Sequence, residues 1–276
     1  PDEILARAVA DARRLDIGDV LILSDWSDPD LIRACISAFS MMPVGVHVQA
    51  ETILGRPGDL RLGRIGARTI LNLVPRPFTP MQSLVKRMFD VIVAFSALVL
   101  LAPVMACIAV LIKYDSAGPV LFRQRRRGYN QREFEILKFR TMTVLDDGDV
   151  VVQAVRDDPR VTRVGRYLRR YNLDELPQFW NVLVGDMSVV GPRPHAVAHD
   201  RFFETRIQTY PRRLNVKPGI TGWAQINGFR GETETDAKMR KRVEYDLAYI
   251  DSWSLGFDLY ILLLTVVSPR SYRNAH

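Results

Sequence analysis

Asp174 and Glu175 stand side by side, with Arg169 and Arg170 just upstream and Pro177 just downstream. Two adjacent carboxylates can hold a divalent cation, and one of them can attack phosphorus to make a covalent intermediate. Arginines nearby can clamp the oxygens of the group under attack. Pro177 has no N–H and suits a first helical turn, which predicts that the acidic pair lies at a helix N-terminus, where the dipole favours anions. Taken alone the pair is equally readable as ordinary helix capping. A second rigid feature follows, in which Gly191, Pro192 and Pro194 freeze a loop around Arg193, an arrangement suited to phosphate recognition. Asp186 is a further carboxylate of second rank.

The elements that must position these residues follow from pattern. Arg163 to Arg170 predicts a short basic helix leading into the acidic pair, and Phe179 to Leu183 a helix after it. Pro119 to Arg125 and Arg132 to Thr141 predict a β-hairpin turning at Gly128–Gln131. That hairpin carries Arg123, Arg125, Arg126, Arg127, Arg132, Lys138 and Arg140. Such density predicts attraction to lipid headgroups or a phosphorylated substrate; aromatic interleaving is sparse, which argues against nucleic acid. Asp146 to Asp149 reads as an exposed loop. Lys217 to Gly228 reads as a glycine-rich loop with little room for helix, its Trp223 suited to stacking or to a lipid interface. Asp236 to Asp251 predicts a charged amphipathic helix, and Trp253 to Val267 an interfacial one.

Val91 to Ile112 contains no charged residue, and about 20 apolar residues span a bilayer as a helix. Pro103 near its centre and basic residues at both ends (Lys86, Arg87, Lys113) favour a hairpin that enters and leaves one face, with a single span as the alternative. Ahead of it, Pro75 to Pro80 reads as a linker. The first segment alternates helix and strand: Ile4–Leu15, Asp19–Leu23, a helix capped by Asp28 with Pro29 at its first position and running to Phe39, then Val44–Val48 and Arg68–Leu73. This suggests parallel βαβ units, a partial Rossmann-like α/β segment without a dinucleotide fingerprint.

The chain has 276 residues and a formal charge of +7, with 2 cysteines and 4 histidines. The pI near 9.6 suits anionic lipid, phosphorylated small molecules or nucleic acid. Cysteine usage excludes a disulfide framework and a zinc cluster and fits a reducing, cytosol-facing location. The histidines show no metal-ligand spacing. No secretory signal pattern opens the chain, and a start at Pro1 rather than Met predicts a fragment of a longer protein.

Lys138–Met142, Leu173–Gln178, Asn181–Val182, Gly185–Ser188, Gly191–Pro194 and Lys217–Gly222, in that order, closely resemble the bacterial sugar transferase family, the monotopic phosphoglycosyl transferases of polysaccharide assembly. The resemblance runs from about Ser83 to the C-terminus. It implies transfer of a sugar 1-phosphate from a UDP-sugar to a polyprenyl phosphate at the cytoplasmic face of the bacterial inner membrane, with release of UMP and a requirement for Mg2+. It implies Asp174 as nucleophile, Glu175 as the more dedicated metal ligand beside Asp174, Lys138 as active-site lysine, and Arg169 and Arg193 as phosphate contacts. It implies a re-entrant helix broken at Pro103, although the family's frequent serine before that proline is Ala102 here. The N-terminal segment resembles the truncated end of the accessory domain of larger members, typified by undecaprenyl-phosphate glucose or galactose phosphotransferases; glucose is thus the first expected sugar and galactose the second. The expected organisation is a monotopic α/β protein: residues 1–80 accessory segment and linker, 81–118 membrane hairpin, 119–276 mixed α/β catalytic domain with a β-hairpin and interfacial helices. Competing readings are a non-catalytic membrane-anchored scaffold and a direct glycosyltransferase. The sequence is compatible with a homodimer.

Overall fold

Asp28 opens its helix as its type predicts, its Oδ1 accepting a hydrogen bond from the Leu31 amide at 3.0 Å while Pro29 fills the first helical position. The computed structural model describes residues 2–23, 28–49, 62–65, 68–74, 76–143, 158–229 and 236–267. The Asp146–Asp149 loop and Pro75 lie outside them. Contacts divide the chain into two units, Pro1–Thr79 and Pro80–His276.

The first unit comprises α1 (Asp2–Leu15), β1 (Asp19–Ile22), α2 (Pro29–Phe39), β2 (Gly45–Gln49), β3 (Leu62–Ile65) and β4 (Arg68–Val74), with sheet order β1-β2-β4-β3. Ala12, Ile22, Ile32, Phe39, Val44 and Val46 form its core. β1 and β2 pair in parallel across α2, as a βαβ unit should. The rest of the sheet departs from the parallel, Rossmann-like expectation, because β4 runs antiparallel to both β2 and β3. For β3 and β4 the physical reason is connection length: only positions 66 and 67 separate them, and so short a link permits only a hairpin.

The second unit begins with α3 (Pro80–Asp115), a helix that the sequence pattern divides at Pro103 and that here contains that proline. It is long and apolar enough to cross a membrane. Its two ends are buried, at Lys86, Asp90 and Ala94 and at Ile108 and Ile112, whereas Phe95, Val99, Leu100 and Val104 between them are exposed. Arg87 donates to the carbonyls of Val182 and Leu183 at 2.6 and 2.7 Å. Asp90 accepts from Ser188 Oγ and the Val189 amide, each at 2.9 Å. Lys86 lies 2.8 Å from Asp258. At the far end Asp115 accepts from the Val164 amide at 3.1 Å, and Ile108 and Ile112 pack with Phe139 and Leu168.

β5 (Leu121–Arg127) and β6 (Glu133–Phe139) form the expected hairpin in antiparallel register. α4 (Arg163–Arg170) and α5 (Gln178–Val184) flank the acidic pair. β7 (Ser188–Val190), α6 (Val197–Glu204), β8 (Gly219–Thr221), α7 (Trp223–Ile226), α8 (Asp236–Asp251) and α9 (Leu255–Val267) complete the unit. The Lys217–Gly228 stretch is therefore a strand and a short helix, contrary to its reading as a loop. β7 and β8 pair in parallel, and a Cβ on Gly219 would come within 2.1 Å of the Gly191 nitrogen. The glycines there serve close backbone approach rather than a turn. Trp223 packs edge-on against Phe257 at 5.0 Å, inside an aromatic group with Tyr245 and Tyr260.

Candidate active site

Asn172 ends the run from α4 in left-handed backbone, φ 55°, a conformation asparagine tolerates. The chain then makes one 3-10 turn, Leu173–Glu175, before Pro177 caps α5. The acidic pair thus precedes the helix instead of occupying its first turn. The turn aims Glu175 inward, where it is buried, and leaves Asp174 half-buried.

Three segments meet at this turn. Lys138 from β6 lies 3.0 Å from Glu175 Oε1. Arg193, from the loop after β7, donates through NH2 to the same oxygen at 2.7 Å and through NH1 to Oε2 at 3.4 Å. Arg169, in the last turn of α4, is held by Nε to Thr141 Oγ1 at 2.9 Å, and its charge acts on Asp174. The structure thus brings Lys138, Arg169, Asp174, Glu175 and Arg193 into one cluster. Pro103 contributes nothing to it and is exposed on α3.

Burial raises the Asp174 carboxyl above its ordinary range; Lys138 opposes this, Glu175 adds to it, and Arg169 and Arg193 oppose it. Burial likewise lowers Lys138, with Glu175 pulling the other way. Three cations face two carboxylates, so the cluster retains positive charge for an anionic ligand.

Among the described residues no group of three or more His, Cys, Asp or Glu is placed to hold a metal. Magnesium is commonly bound by one or two carboxylates together with substrate phosphates. The Asp174–Glu175 pair fits that mode. Glu175 is already engaged by Lys138 and Arg193.

Much of the basic hairpin spends its charge internally. Arg140 is buried and donates to the carbonyls of Ala117 and Ser116 at 2.7 and 2.6 Å. Arg127 pairs with Glu204 at 2.6 Å, and Arg126 donates to the Pro194 carbonyl at 3.1 Å. Headgroup attraction is not the purpose of these three.

Sequence reasoning missed the side chains that frame the cluster. Asn181 links α5 to β6, accepting from the Leu137 amide at 2.9 Å and donating to the Glu135 carbonyl at 2.7 Å. Behind Arg193, Arg213 is buried and bonds Asp246 at 2.8 and 3.0 Å, and the network continues through His195 and Tyr210 to Asp200. Burial, with Arg213 and Arg242 beside it, holds His195 far below its ordinary range and keeps it neutral. A signal existed: Met239, Arg242, Val243, Asp246, Tyr249 and Ile250 follow helical spacing, placing Asp246 on the buried face of α8.

The family model described as bacterial sugar transferase matches residues 81–270. The chain is 44% identical over 262 residues to the UDP-glucose:undecaprenyl-phosphate glucose-1-phosphate transferase of Escherichia coli (strain K12), covering 95% of this chain and 56% of that protein. It is 43% identical over 268 residues to the Klebsiella pneumoniae protein of the same name, covering 97% and 58%. With the same-named protein of Caulobacter vibrioides it shares 52% identity over 191 residues, covering 69% and 72%. The chain therefore spans little more than half the length of the first two of these curated relatives.

Proposed function

The chain belongs to the bacterial sugar transferase family, and from that membership and the site geometry we propose that it transfers sugar 1-phosphate from a UDP-sugar, glucose before galactose, to undecaprenyl phosphate. The observation that carries this is the gathering of Lys138, Arg169 and Arg193 around the Asp174–Glu175 turn. Relatives named for the glucose reaction support the choice of donor. The step would begin exopolysaccharide, capsule or lipopolysaccharide assembly.

In this mechanism an Asp174 oxygen attacks the β-phosphorus of the donor. A P–O bond to Asp174 forms, the bond from that phosphorus to the bridging oxygen breaks, and UMP leaves with that oxygen. An oxygen of the lipid phosphate then attacks the same phosphorus, and Asp174 departs as a carboxylate. Lys138 and Arg193 neutralise the phosphate oxygens, and their grip on Glu175 keeps them aimed at the turn. Arg169, anchored on Thr141, favours the ionised form of Asp174. Asp174 and Glu175 together with the phosphates would hold Mg2+, which supplies further charge neutralisation when bound.

α3 supports membrane association, which the proposal puts at the cytoplasmic face of the inner membrane. Its 36 residues would measure about 54 Å if straight, yet both ends are tied to the catalytic unit through Arg87 and Asp90 and through Asp115. We read it as re-entrant, bending at Pro103, with its exposed apolar middle in lipid. α9 would lie in the interface, exposing Leu259, Tyr260, Leu263, Val266 and Val267 while burying Asp258 and Ile261. Such placement sets the acidic turn at headgroup level, where the acceptor phosphate resides.

A donor panel tests the proposal. UDP-glucose labelled in the β-phosphate should release unlabelled UMP and pass its label to lipid. Label retained in UDP means direct glycosyl transfer, and neither UMP nor UDP from any UDP-sugar means a non-catalytic scaffold. Labelled sugar phosphate trapped on protein should map to the peptide holding residue 174.

A further inference from the structure

Arg193 sits in a loop that has few hydrogen-bond donors of its own. Pro192 and Pro194 carry no N–H, and a residue followed by proline is confined to extended backbone. Beyond the Gly191 amide, which donates to the Thr221 carbonyl at 2.9 Å, such a loop is held chiefly through its carbonyls. Each of three successive carbonyls meets a donor from another segment: Pro192 O accepts from the Gly219 amide at 2.9 Å, Arg193 O from Arg213 NH2 at 2.8 Å, and Pro194 O from Arg126 NH1 at 3.1 Å. The first comes from the backbone of β8. The other two are side chains with no role in the chemistry proposed above.

We propose that Arg213 and Arg126 are positioning residues, a bracket that sets the direction in which Arg193 presents its guanidinium to Glu175 and the donor phosphates. This rests on the substrate-binding role proposed for Arg193. Arg213 is 1% exposed, and a guanidinium so deeply buried persists only when its donors are used. Its NH2 group is shared between Asp246 on α8 and the Arg193 carbonyl, so the ion pair anchors the loop to a long helix. Arg126 ties the same loop to β5, the partner strand of the one carrying Lys138. The two phosphate-facing cations, Lys138 and Arg193, are thereby held in one frame. Lysine at 213 would keep the charge opposite Asp246 but lose the planar fork that reaches both acceptors.

The test is a pair of double-mutant cycles on UMP release by the full chain in nanodiscs with UDP-glucose and undecaprenyl phosphate. Arg213→Lys and Arg126→Met are each measured alone and with Arg193→Ala, beside thermal melting. Each single variant should lower kcat/KM by roughly 10- to 100-fold, the scale of a small misplacement of a positioned group. In the Arg193→Ala background each should cost less than about twofold, because its target is already gone. Losses that multiply with Arg193→Ala, or singles with wild-type rates, overturn the bracket. Where Arg213→Lys fails to melt cooperatively, the Arg126→Met cycle decides. Full activity in Arg193→Ala would remove the role of Arg193 itself, and the bracket with it. An impaired Arg193→Ala with multiplicative doubles overturns the bracket alone.

Discussion

Glu175 with Lys138 and Arg193, and Asp246 with Arg213, are built alike: a carboxylate held by a guanidinium in each case, joined by a lysine in the first, with the Arg193 loop between them. Burial raises carboxyl groups in both, Asp174 in the first and Asp246 and Asp200 in the second. The difference lies in access. Arg213 and Asp246 are 1% and 2% exposed at the side chain, whereas Lys138 and Arg193 keep 19% and 23%, and Asp174 is half-buried beside them. A perturbed carboxylate therefore does not by itself mark chemistry. What marks it here is positive charge and carboxylate valence left reachable, where the other cluster has closed on itself.

The comparison breaks most sharply at Asp174. Asp174→Asn should lower UMP release by about 10⁴-fold or more, the scale of losing a covalent nucleophile, with thermal melting unchanged. Wild-type turnover in that variant would make both clusters structural. Asp246→Ala should act first on stability, costing about 3–5 kcal/mol by stranding a buried guanidinium; chemical denaturation in detergent reads this, and a loss under about 1 kcal/mol would mean that the second cluster is not closed.

Acidity separates the clusters in a third way. Asp174 must be ionised to attack, and burial raises its pKa, so the rate should fall with decreasing pH at a higher value than an ordinary aspartate's, near 4. Arg169 favours the ionised form, so Arg169→Gln should move that acid limb up by about one unit. A limb that stays put would exclude Asp174 as the group titrating. The smallest effect belongs to Asp200, lifted to about 6 by burial. Because its folded pKa is the higher one, its stabilising contribution is full below about 4 and lost as pH rises through about 6. Stability should therefore fall between pH 5 and 7.5 by about 1.4 kcal/mol less in Asp200→Asn than in the parent protein, as read from denaturation at the two pH values.

Local signals were legible. Asp28 and Pro29 started α2, the basic run ended α4 at Arg170, and α8 spans Asp236–Asp251 as its charge pattern implies. Caps and helical spacing act within a few residues, so no distant partner is needed to read them. Pairing was less legible. The antiparallel β4 followed from a short link that looked unremarkable in sequence, and Gly219 resembled a turn residue because its real constraint is the backbone of Gly191. Arg126, Arg127 and Arg140 were misjudged for the same reason: whether Arg140 faces lipid or the Ser116 carbonyl depends on where a helix end comes to rest.

From the sequence alone came the acidic pair, the proline-framed Arg193, the apolar run and the order of motifs that marks the family. Each is a matter of residue type and near-neighbour spacing. The tertiary structure alone decided which charges are consumed and which stay available, because desolvation and ion pairing are set by neighbours brought from remote parts of the chain. Arg213 and Arg193 are alike as residues; one is closed in against Asp246 and the other is held open toward the acidic turn.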